Sequence, residues 1–589
     1  MKKLFSISLI STALLLTGCA QEKDLAASNE SINAKQEVVI AEQKQLADRT
    51  RKQMMVDKKA VKLTREKLMS AQMSYVSLSE KKYRSVGQVG QMPPAHFINE
   101  ANNNEKYSHQ KSNGTLLVAE QPVSTFSIDV DTAAYANVRR LLNQGKLPQH
   151  DAVRVEELVN YFSYDYPTPT KQPFSVYSEV APSPYNADKY LLHLGIKGKA
   201  VPKTERPAAN LVFLLDVSGS MNNANKMGLL KNALKMLTNQ LNQDDSVAIV
   251  VYAGAAGVVL KPTKGDNKPA IIDALSQLSA GGSTNGGAGI EAAYRLAQQS
   301  FIKGGINRIM LATDGDFNVG TVNNQALKNL IENKRKSGID LSVLGFGSGN
   351  YNDELMQQLA QTGNGNAYYI DNLHEARKVL VEELSSTLFT IAKDVKIQVE
   401  FNPSIVSEYR LIGYETRALK REDFNNDNVD AGEIGAGHTV TAIYEISLVN
   451  GKNKANDTLR YQAQNTAHQT TTKNQNEFAF LRLRYKNPTE NSSQLIEVPL
   501  LKSDIIESIT ATSNSYKFSA AVAGFAQLLR GGENLSTMNK KDIIDLAQQG
   551  RGEDRHGYRG EFINMVKLAQ ALSPQLSASN GANNAVDHE

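Results

Sequence analysis

Short apolar runs alternate with amphipathic segments through the middle of the chain. The apolar runs span residues 211–215, 247–252, 309–312, 341–346 and 367–370. Strands that are apolar on both faces and alternate with helices form a mainly parallel sheet, with helices on both sides. Helical spacing between and after these runs predicts helices over about 227–241, 323–336 and 373–391. The pattern therefore predicts an α/β domain, and a ligand would bind at the carboxyl ends of its strands.

The pattern changes on either side of this domain. After Lys393, apolar and polar residues alternate along 395–401 and again along 440–448, which predicts half-buried antiparallel strands. Two amphipathic helices follow, so we expect a β-rich domain with C-terminal helices over 393–572. The segment 124–200 begins with a short strand and two amphipathic helices, and it is too small to fold alone.

Both ends of the chain have a different character. Residues 21–84 contain neither glycine nor proline and are rich in charge, which predicts a helical tether over residues 19–86. The next segment, 87–123, contains three prolines and a run of asparagines and is typical of a linker. The Ser-, Ala- and Asn-rich tail, 573–589, is predicted to be disordered.

Composition narrows the class of protein. The 589 residues exceed what one core accommodates, so several domains are expected. With 41% hydrophobic and 21% charged residues, the chain is typical of water-soluble globular proteins. A formal net charge of +4 is small for this length, and no concentrated basic face is evident, so no nucleic-acid partner is expected.

The N-terminus carries a targeting signal. Lys2 and Lys3 precede an apolar run that ends in Leu-Thr-Gly-Cys at residues 16–19, which resembles the lipobox of bacterial lipoproteins. The resemblance implies a signal peptide over residues 1–18 and acylation of Cys19, which would anchor the chain to a lipid bilayer. Ala20 implies the outer membrane of a Gram-negative envelope, facing the periplasm or the surface. A plain signal peptide with an incidental cysteine is the alternative.

Oxygen-bearing side chains follow two of the predicted strands. Asp216, Ser218 and Ser220 form a D-x-S-x-S sequence directly after the first strand, and Asp314 follows the third. Thr284 lies in a glycine-rich turn between them. Such hard oxygen donors suit a divalent metal, with Mg²⁺ expected first and Mn²⁺ or Ca²⁺ as alternatives.

This set of residues resembles the metal-ion-dependent adhesion site of the von Willebrand factor type A (vWA) family. The resemblance covers about residues 210–391 and implies a Rossmann-like vWA domain over 201–392. It further implies that the metal binds an Asp or Glu of a protein partner, and that the chain is not an enzyme. The flanking regions resemble the accessory parts of a bacterial vWA lipoprotein subfamily, with a vWA-associated N-terminal segment and a C-terminal domain of unknown function.

Three other interpretations of these motifs stay open. D-x-S-x-S alone also occurs as a helix N-cap. Asp129-Val130-Asp131-Thr132 resembles the nucleophile motif of haloacid dehalogenase phosphatases, which use Mg²⁺, and the 313–318 segment resembles their acidic loop. The strand before Asp129 is short and polar, however, where that family requires a buried one. The third interpretation is a structural envelope protein with a vestigial metal site.

Overall fold

The computed structural model describes residues 104–282, 286–315, 324–452, 454–457, 474–536 and 538–573. The predicted signal peptide, Cys19, the helical tether, the linker up to residue 103 and the tail from residue 574 lie outside this part of the chain. All described residues fall in one of the two units into which the chain divides, Glu100–Glu589.

The strands of the described residues follow in chain order: β1 (Leu116–Leu117), β2 (Val123–Ser127), β3 (Phe174–Pro182), β4 (Tyr190–Gly198), β5 (Ala209–Asp216), β6 (Ser246–Tyr252), β7 (Ala256–Lys264), β8 (Ile306–Thr313), β9 (Asp340–Phe346), β10 (Ala367–Ile370), β11 (Thr390–Phe401), β12 (Val406–Ile412), β13 (Gly432–Gly435), β14 (Thr439–Leu448), β15 (Glu477–Lys486) and β16 (Ser493–Leu501).

The α-helices of the same residues are α1 (Ala133–Asn143), α2 (Val155–Asn160), α3 (Leu229–Thr238), α4 (Lys268–Gln277), α5 (Gly286–Gln299), α6 (Asn324–Arg335), α7 (Asp353–Thr362), α8 (Leu373–Arg377), α9 (Leu384–Leu388), α10 (Asn514–Leu529), α11 (Lys540–Gln549) and α12 (Tyr558–Leu572). Within the described part of the chain, none of the helices is long and apolar enough to cross a membrane.

A six-stranded sheet forms the centre of the α/β region, in the order β10-β9-β8-β5-β6-β7. The first five strands are parallel, and β7 joins β6 in the antiparallel direction. The five apolar runs of the sequence lie in β5, β6, β8, β9 and β10, as predicted. The edge strand β7 was not predicted, because most of its residues are exposed and its pattern is not that of a buried strand.

Helices cover both faces of this sheet. On one face, α3, α4, α8 and α9 share a core with β5 and its neighbours. On the other, α5, α6 and α7 pack against the opposite side chains of the same strands. In β5, Phe213 belongs to the first core and Leu214 to the second. The period-two alternation of a strand thus fills two cores, and the predicted α/β fold is confirmed.

Two antiparallel sheets form the β-rich region. One has the order β1-β12-β14-β4-β3; in the other, β11 pairs with β2, β13 and β15, and β16 adds to β15. Their inner faces share one core, so they pack as a sandwich. Strands β2, β3 and β4 precede the α/β region along the chain, whereas their partners β11 and β14 follow it. The predicted 124–200 segment and the predicted 393–572 domain therefore build the same sheets.

The C-terminal helices pack on the outer face of the sheet that contains β4. Leu191 faces α10, α11 and α12, whereas Leu192 faces the other sheet. Helices α10 and α12 were expected, and α11 was not.

Two further segments differ from the sequence prediction. The helix predicted over 373–391 is interrupted by a π-helical turn, Lys378–Glu382, and ends at Leu388. Strand β11 begins at Thr390, because its first residues pair with Gly435 and Ile434 of β13. Part of the predicted linker also lies within the fold, since β1 pairs with β12 and Lys106 forms a β-bridge with Asn352.

Candidate metal centre

The candidate site lies at the carboxyl ends of two adjacent central strands. Strand β5 ends at Asp216, and β8 ends at Thr313, immediately before Asp314. The strands are parallel, with Leu215 opposite Ala312, so both ends reach the same edge of the sheet. Every residue of both strands is buried. The two acidic residues are therefore held by the ends of rigid, buried strands, as a precise binding site requires.

The loop after β5 is held by backbone hydrogen bonds on both sides. The N–H of Val217 donates to the carbonyl of Tyr252 at 3.0 Å, and the N–H of Gly219 donates to the carbonyl of Gly282 at 3.0 Å. The N–H of Gly281 returns a 2.7 Å bond to the carbonyl of Val217. The D-x-S-x-S loop is thus fixed between the end of β6 and the glycine-rich segment.

The carboxylate of Asp216 is buried and held by three donors. Its Oδ1 accepts the N–H of Ser218 at 2.9 Å. Its Oδ2 accepts the hydroxyls of Thr313 at 3.1 Å and of Tyr252 at 3.3 Å. With an exposed fraction of 0%, Asp216 has a fixed orientation within the site.

Hydroxyl groups connect this carboxylate to the second one. The Oγ atoms of Ser218 and Ser220 lie 3.0 Å apart, and Ser220 also hydrogen-bonds Asp314. On its other side, Oδ2 of Asp314 accepts a 2.8 Å bond from Nζ of Lys226. The same Nζ donates to Oδ1 of Asn350 at 3.2 Å. Oxygen atoms from two strand ends thus form one continuous cluster.

The two carboxylates differ in their electrostatic surroundings. Burial raises the pKa of Asp216 above its ordinary value, and the charge of Asp314 adds to this, while hydrogen bonds from Ser218 oppose it. Burial also acts on Asp314, but the hydrogen bond and the positive charge of Lys226 outweigh it, so the pKa of Asp314 is lowered. Asp314 is therefore the more readily ionised of the two.

Four of the five predicted metal ligands lie together in this cluster: Asp216, Ser218, Ser220 and Asp314. Thr284 falls in the segment 283–285, which is outside the described residues, as is Cys19. Their roles in the metal site and in lipid anchoring remain predictions from the sequence.

Three residues of this edge were not singled out from the sequence. Tyr252 and Thr313 are polar residues at the ends of buried strands, and this position could have identified them. Lys226 carried no such signal, because a lysine at the start of a helix is most often solvated. Here it is 8% exposed and contacts Asp314.

The chemistry of the cluster fits a hard divalent cation. Two carboxylates and two hydroxyls are oxygen donors of the kind that Mg²⁺, Mn²⁺ and Ca²⁺ accept. Within the described residues, no three His, Cys, Asp or Glu side chains form a group that could hold a metal. A metal at this edge would thus depend on neutral hydroxyls for part of its ligand set.

The acidic residues of the phosphatase alternative lie elsewhere. Asp129 and Asp131 are 3% exposed, and each accepts a 3.0 Å bond from Arg417. Asp131 also accepts the N–H of Ala367, the first residue of β10. Since β10 is parallel to the strands that carry the candidate site, Asp131 lies at the amino edge of the sheet and Asp314 at the carboxyl edge. The two halves of that motif do not meet.

Comparison with known proteins shows the family to which this chain is related. A von Willebrand factor type A domain matches residues 210–382, and a von Willebrand factor family matches residues 101–193. The C-terminal region of uncharacterized protein YfbK matches residues 386–572. YfbK of Escherichia coli K12 is 48% identical over 477 residues, which cover 80% of this chain and 81% of that protein. The chain belongs to the YfbK family of vWA proteins.

More distant relatives share the vWA region. An uncharacterized protein of Synechocystis is 29% identical over 189 residues, which cover 31% of this chain and 43% of that protein. Among solved structures, a von Willebrand factor type A protein from Catenulispora acidiphila is 14% identical and superposes with a TM-score of 0.40, covering 69% of this chain and 91% of the other. Membership of the YfbK family rests on the match to the Escherichia coli protein.

Proposed function

We propose that this chain is a lipid-anchored envelope protein whose vWA domain binds a protein partner through a divalent metal. The observation that supports this most strongly is the oxygen cluster that Asp216, Ser218, Ser220 and Asp314 form at the carboxyl edge of the sheet. Two separate strand ends contribute to it, and ligands of open α/β sheets bind at that edge.

The metal would be held by these four side chains together with Thr284. Mg²⁺ is the proposed ion, and Mn²⁺ or Ca²⁺ would fit the same oxygen donors. A dication whose other ligands are neutral hydroxyls stays electrophilic and can bind an Asp or Glu of the partner. The buried bonds from Thr313 and Tyr252 would keep Asp216 in place while the metal binds.

The proposed anchor is an acylated Cys19. Several acyl chains, each contributing about 0.8 kcal/mol per buried CH₂, hold a protein firmly on a bilayer. The lipobox-like sequence at 16–19 and the following Ala20 support an outer-membrane location, in the periplasm or at the surface.

Thermal unfolding of the full-length chain, purified in detergent, tests the metal site. After treatment with EDTA, added Mg²⁺ should raise the melting temperature, because a ligand of the native state stabilises it. Ser218→Ala should abolish most of this increase. Ser246→Ala is the matched control, since Ser246 begins the neighbouring strand β6 at the opposite edge of the sheet.

Two outcomes would contradict the proposal. If Mg²⁺, Mn²⁺ and Ca²⁺ all leave the melting temperature unchanged, the structural-protein alternative with a vestigial site is favoured. If Ser218→Ala keeps the full increase, as the control does, the metal binds elsewhere.

Cross-linking in envelope membranes tests the partner. A partner held through the metal should be captured by the unmodified chain and lost with EDTA or in the Ser218→Ala variant. If the partner is still captured in the presence of EDTA and by the Ser218→Ala variant, it binds without the metal.

A further inference from the structure

Lys226 places a positive charge inside the candidate site. It lies in a π-helical turn, Ala224–Gly228, between the D-x-S-x-S loop and α3. Its Nζ donates to Oδ2 of Asp314 at 2.8 Å and to Oδ1 of Asn350 at 3.2 Å. The side chain is only 10% exposed, and that of Asp314 is 0% exposed. This ion pair is shielded from water, so its electrostatic effect is stronger than that of a surface pair.

The surrounding backbone leaves space for the lysine stem. Gly347, directly after β9, has a φ of +78°, and a Cβ there would collide with the methylene groups of Lys226. The carbonyl of the same glycine accepts a hydrogen bond from the hydroxyl of Tyr369. Any larger residue at 347 would displace the stem and would also strain the backbone. The position of the ammonium is therefore fixed by packing as well as by charge.

The charge balance of the site depends on this lysine. Asp216 and Asp314 together carry two negative charges when ionised, and Lys226 offsets one of them. A divalent metal at the same oxygen cluster would be repelled by the ammonium of Lys226. The metal and the ammonium would also share the carboxylate of Asp314. A site without the lysine would attract a dication more strongly, because like charges at short distance repel in a buried environment.

We propose that Lys226 is a tethered cation that competes with the metal for Asp314 and so weakens divalent-metal binding at this site. The inference rests on the proposed function, because it concerns the same metal. It gives Lys226 a second role besides stabilising the fold: the ammonium neutralises Asp314 when the metal is absent and limits the metal's affinity when it is present.

Isothermal titration of the EDTA-treated, full-length chain with Mg²⁺ and with Mn²⁺ tests this. Lys226→Gln removes the charge but keeps a donor for Asp314, and it should bind both ions at least about tenfold more tightly than the unmodified chain. Lys226→Arg keeps the charge and should stay close to the unmodified affinity. Lys231→Met is the matched control, because Lys231 lies on α3 and its Nζ donates to an exposed backbone carbonyl, that of Ser276.

Thermal unfolding is a second measurement, and it distinguishes competition with the metal from a purely structural role of Lys226. Without metal, Lys226→Gln should melt at a lower temperature, since Asp314 loses its counter-charge. With saturating Mg²⁺, its melting temperature should rise by more than that of the unmodified chain. A Lys226→Met variant, which lacks the donor as well, should show the same direction with a larger loss in EDTA.

The results separate this inference from the proposed function. If the unmodified chain binds metal and Lys226→Gln binds it equally or more weakly, with an equal rise in melting temperature, Lys226 is structural and the inference is wrong. If neither the unmodified chain nor Lys226→Gln responds to metal, the proposed function and the inference both fail.

Discussion

Glu156 is a carboxylic acid in a place that disfavours its ionised form. It lies on α2 with an exposed fraction of 1%. Burial raises its pKa to about 8, and the negative charges of Glu415 and Asp129 add to the effect. Gly413 is distant along the chain but close in space, and a Cβ added to it would lie 2.8 Å from Oε2 of Glu156. The backbone of Gly413 therefore approaches this carboxyl closely. Glu156 is therefore largely protonated in the folded protein at neutral pH.

This protonation predicts that stability falls as the pH rises from acidic to slightly alkaline values. The pKa of about 8 in the fold exceeds the ordinary value of 4.5, so between these values the folded state binds more protons than the unfolded state. The free energy of unfolding should thus fall as the pH rises from about 4.5 to about 8. Glu156→Gln, which cannot ionise, should be more stable than the unmodified chain at pH 8 by on the order of a few kcal/mol.

Denaturant unfolding at a series of pH values measures this difference. The advantage of Glu156→Gln should disappear at pH 4, where the glutamate is protonated in both states. Glu422→Gln, at an exposed position, is the control and should follow the unmodified chain. Parallel curves for the unmodified chain and Glu156→Gln would show that the buried carboxyl has no such role.

At the level of single residues, the sequence was sufficient to predict that Asp216, Ser218, Ser220 and Asp314 lie together in the candidate site. Asp216 and Asp314 follow parallel strands that are apolar on both faces, and such strand ends meet at one edge. Lys226, which contacts Asp314, could not be predicted, because its burial depends on Gly347 and Asn350, which are distant along the chain.

Among the secondary-structure elements, α1, α8 and α12 are connected by one arginine. The side chain of Arg139, on α1, is 0% exposed. It forms ion pairs with Asp371, directly before α8, with Glu375 at 2.8 Å and with Glu561 at 2.9 Å. Its guanidinium also donates to the hydroxyl of Tyr161. The helix that follows the central sheet is thus tied both to the N-terminal segment and to the last helix.

Removing this arginine should weaken the connection strongly. Arg139→Met leaves carboxylates buried without a counter-charge, so we expect a loss of about 3–5 kcal/mol in the free energy of unfolding. Arg377→Met is the control, since the side chain of Arg377 is 59% exposed and its pair with Glu382 should contribute less than about 1 kcal/mol. Urea unfolding measures both, and equal losses would contradict the assigned role of Arg139.

Strand β7 and helix α11 were not predicted from the sequence, for different reasons. Strand β7 is an edge strand with few buried residues, so it lacks the apolar run that identified its neighbours. Helix α11 did have a signal, since Asn539 and Asp542 form a capping box before buried residues at helical spacing. Its packing against the two longer helices α10 and α12 could be seen only in the structure.

At the scale of the whole molecule, the vWA region is inserted into the β-rich region. Strand β2 pairs with β11, and β4 pairs with β14, although the entire six-stranded sheet separates them along the chain. Local patterns predicted β2, β11 and β14 but not β4, and pairing between distant segments leaves no trace in local periodicity. For this reason, the sequence suggested an N-terminal segment and a C-terminal domain where the structure has shared sheets.

A fragment that contains only residues 393–572 should not fold. It would lack β2, β3 and β4, and the apolar residues of β11 and β14 that these strands cover would be exposed to water. Circular dichroism during heating should show no cooperative transition for this fragment, whereas residues 104–573 should unfold cooperatively. A sharp transition in the short fragment would show that the β-rich region is independent of the N-terminal segment.

The insertion also fixes an order of events during synthesis. A ribosome releases β2, β3 and β4 long before their partners β11 and β14 exist, while all strands of the central sheet emerge together. The vWA region can consequently fold first, while the apolar faces of the N-terminal strands stay uncovered until β11 and β14 have been synthesised. A holding chaperone would be needed most during this interval.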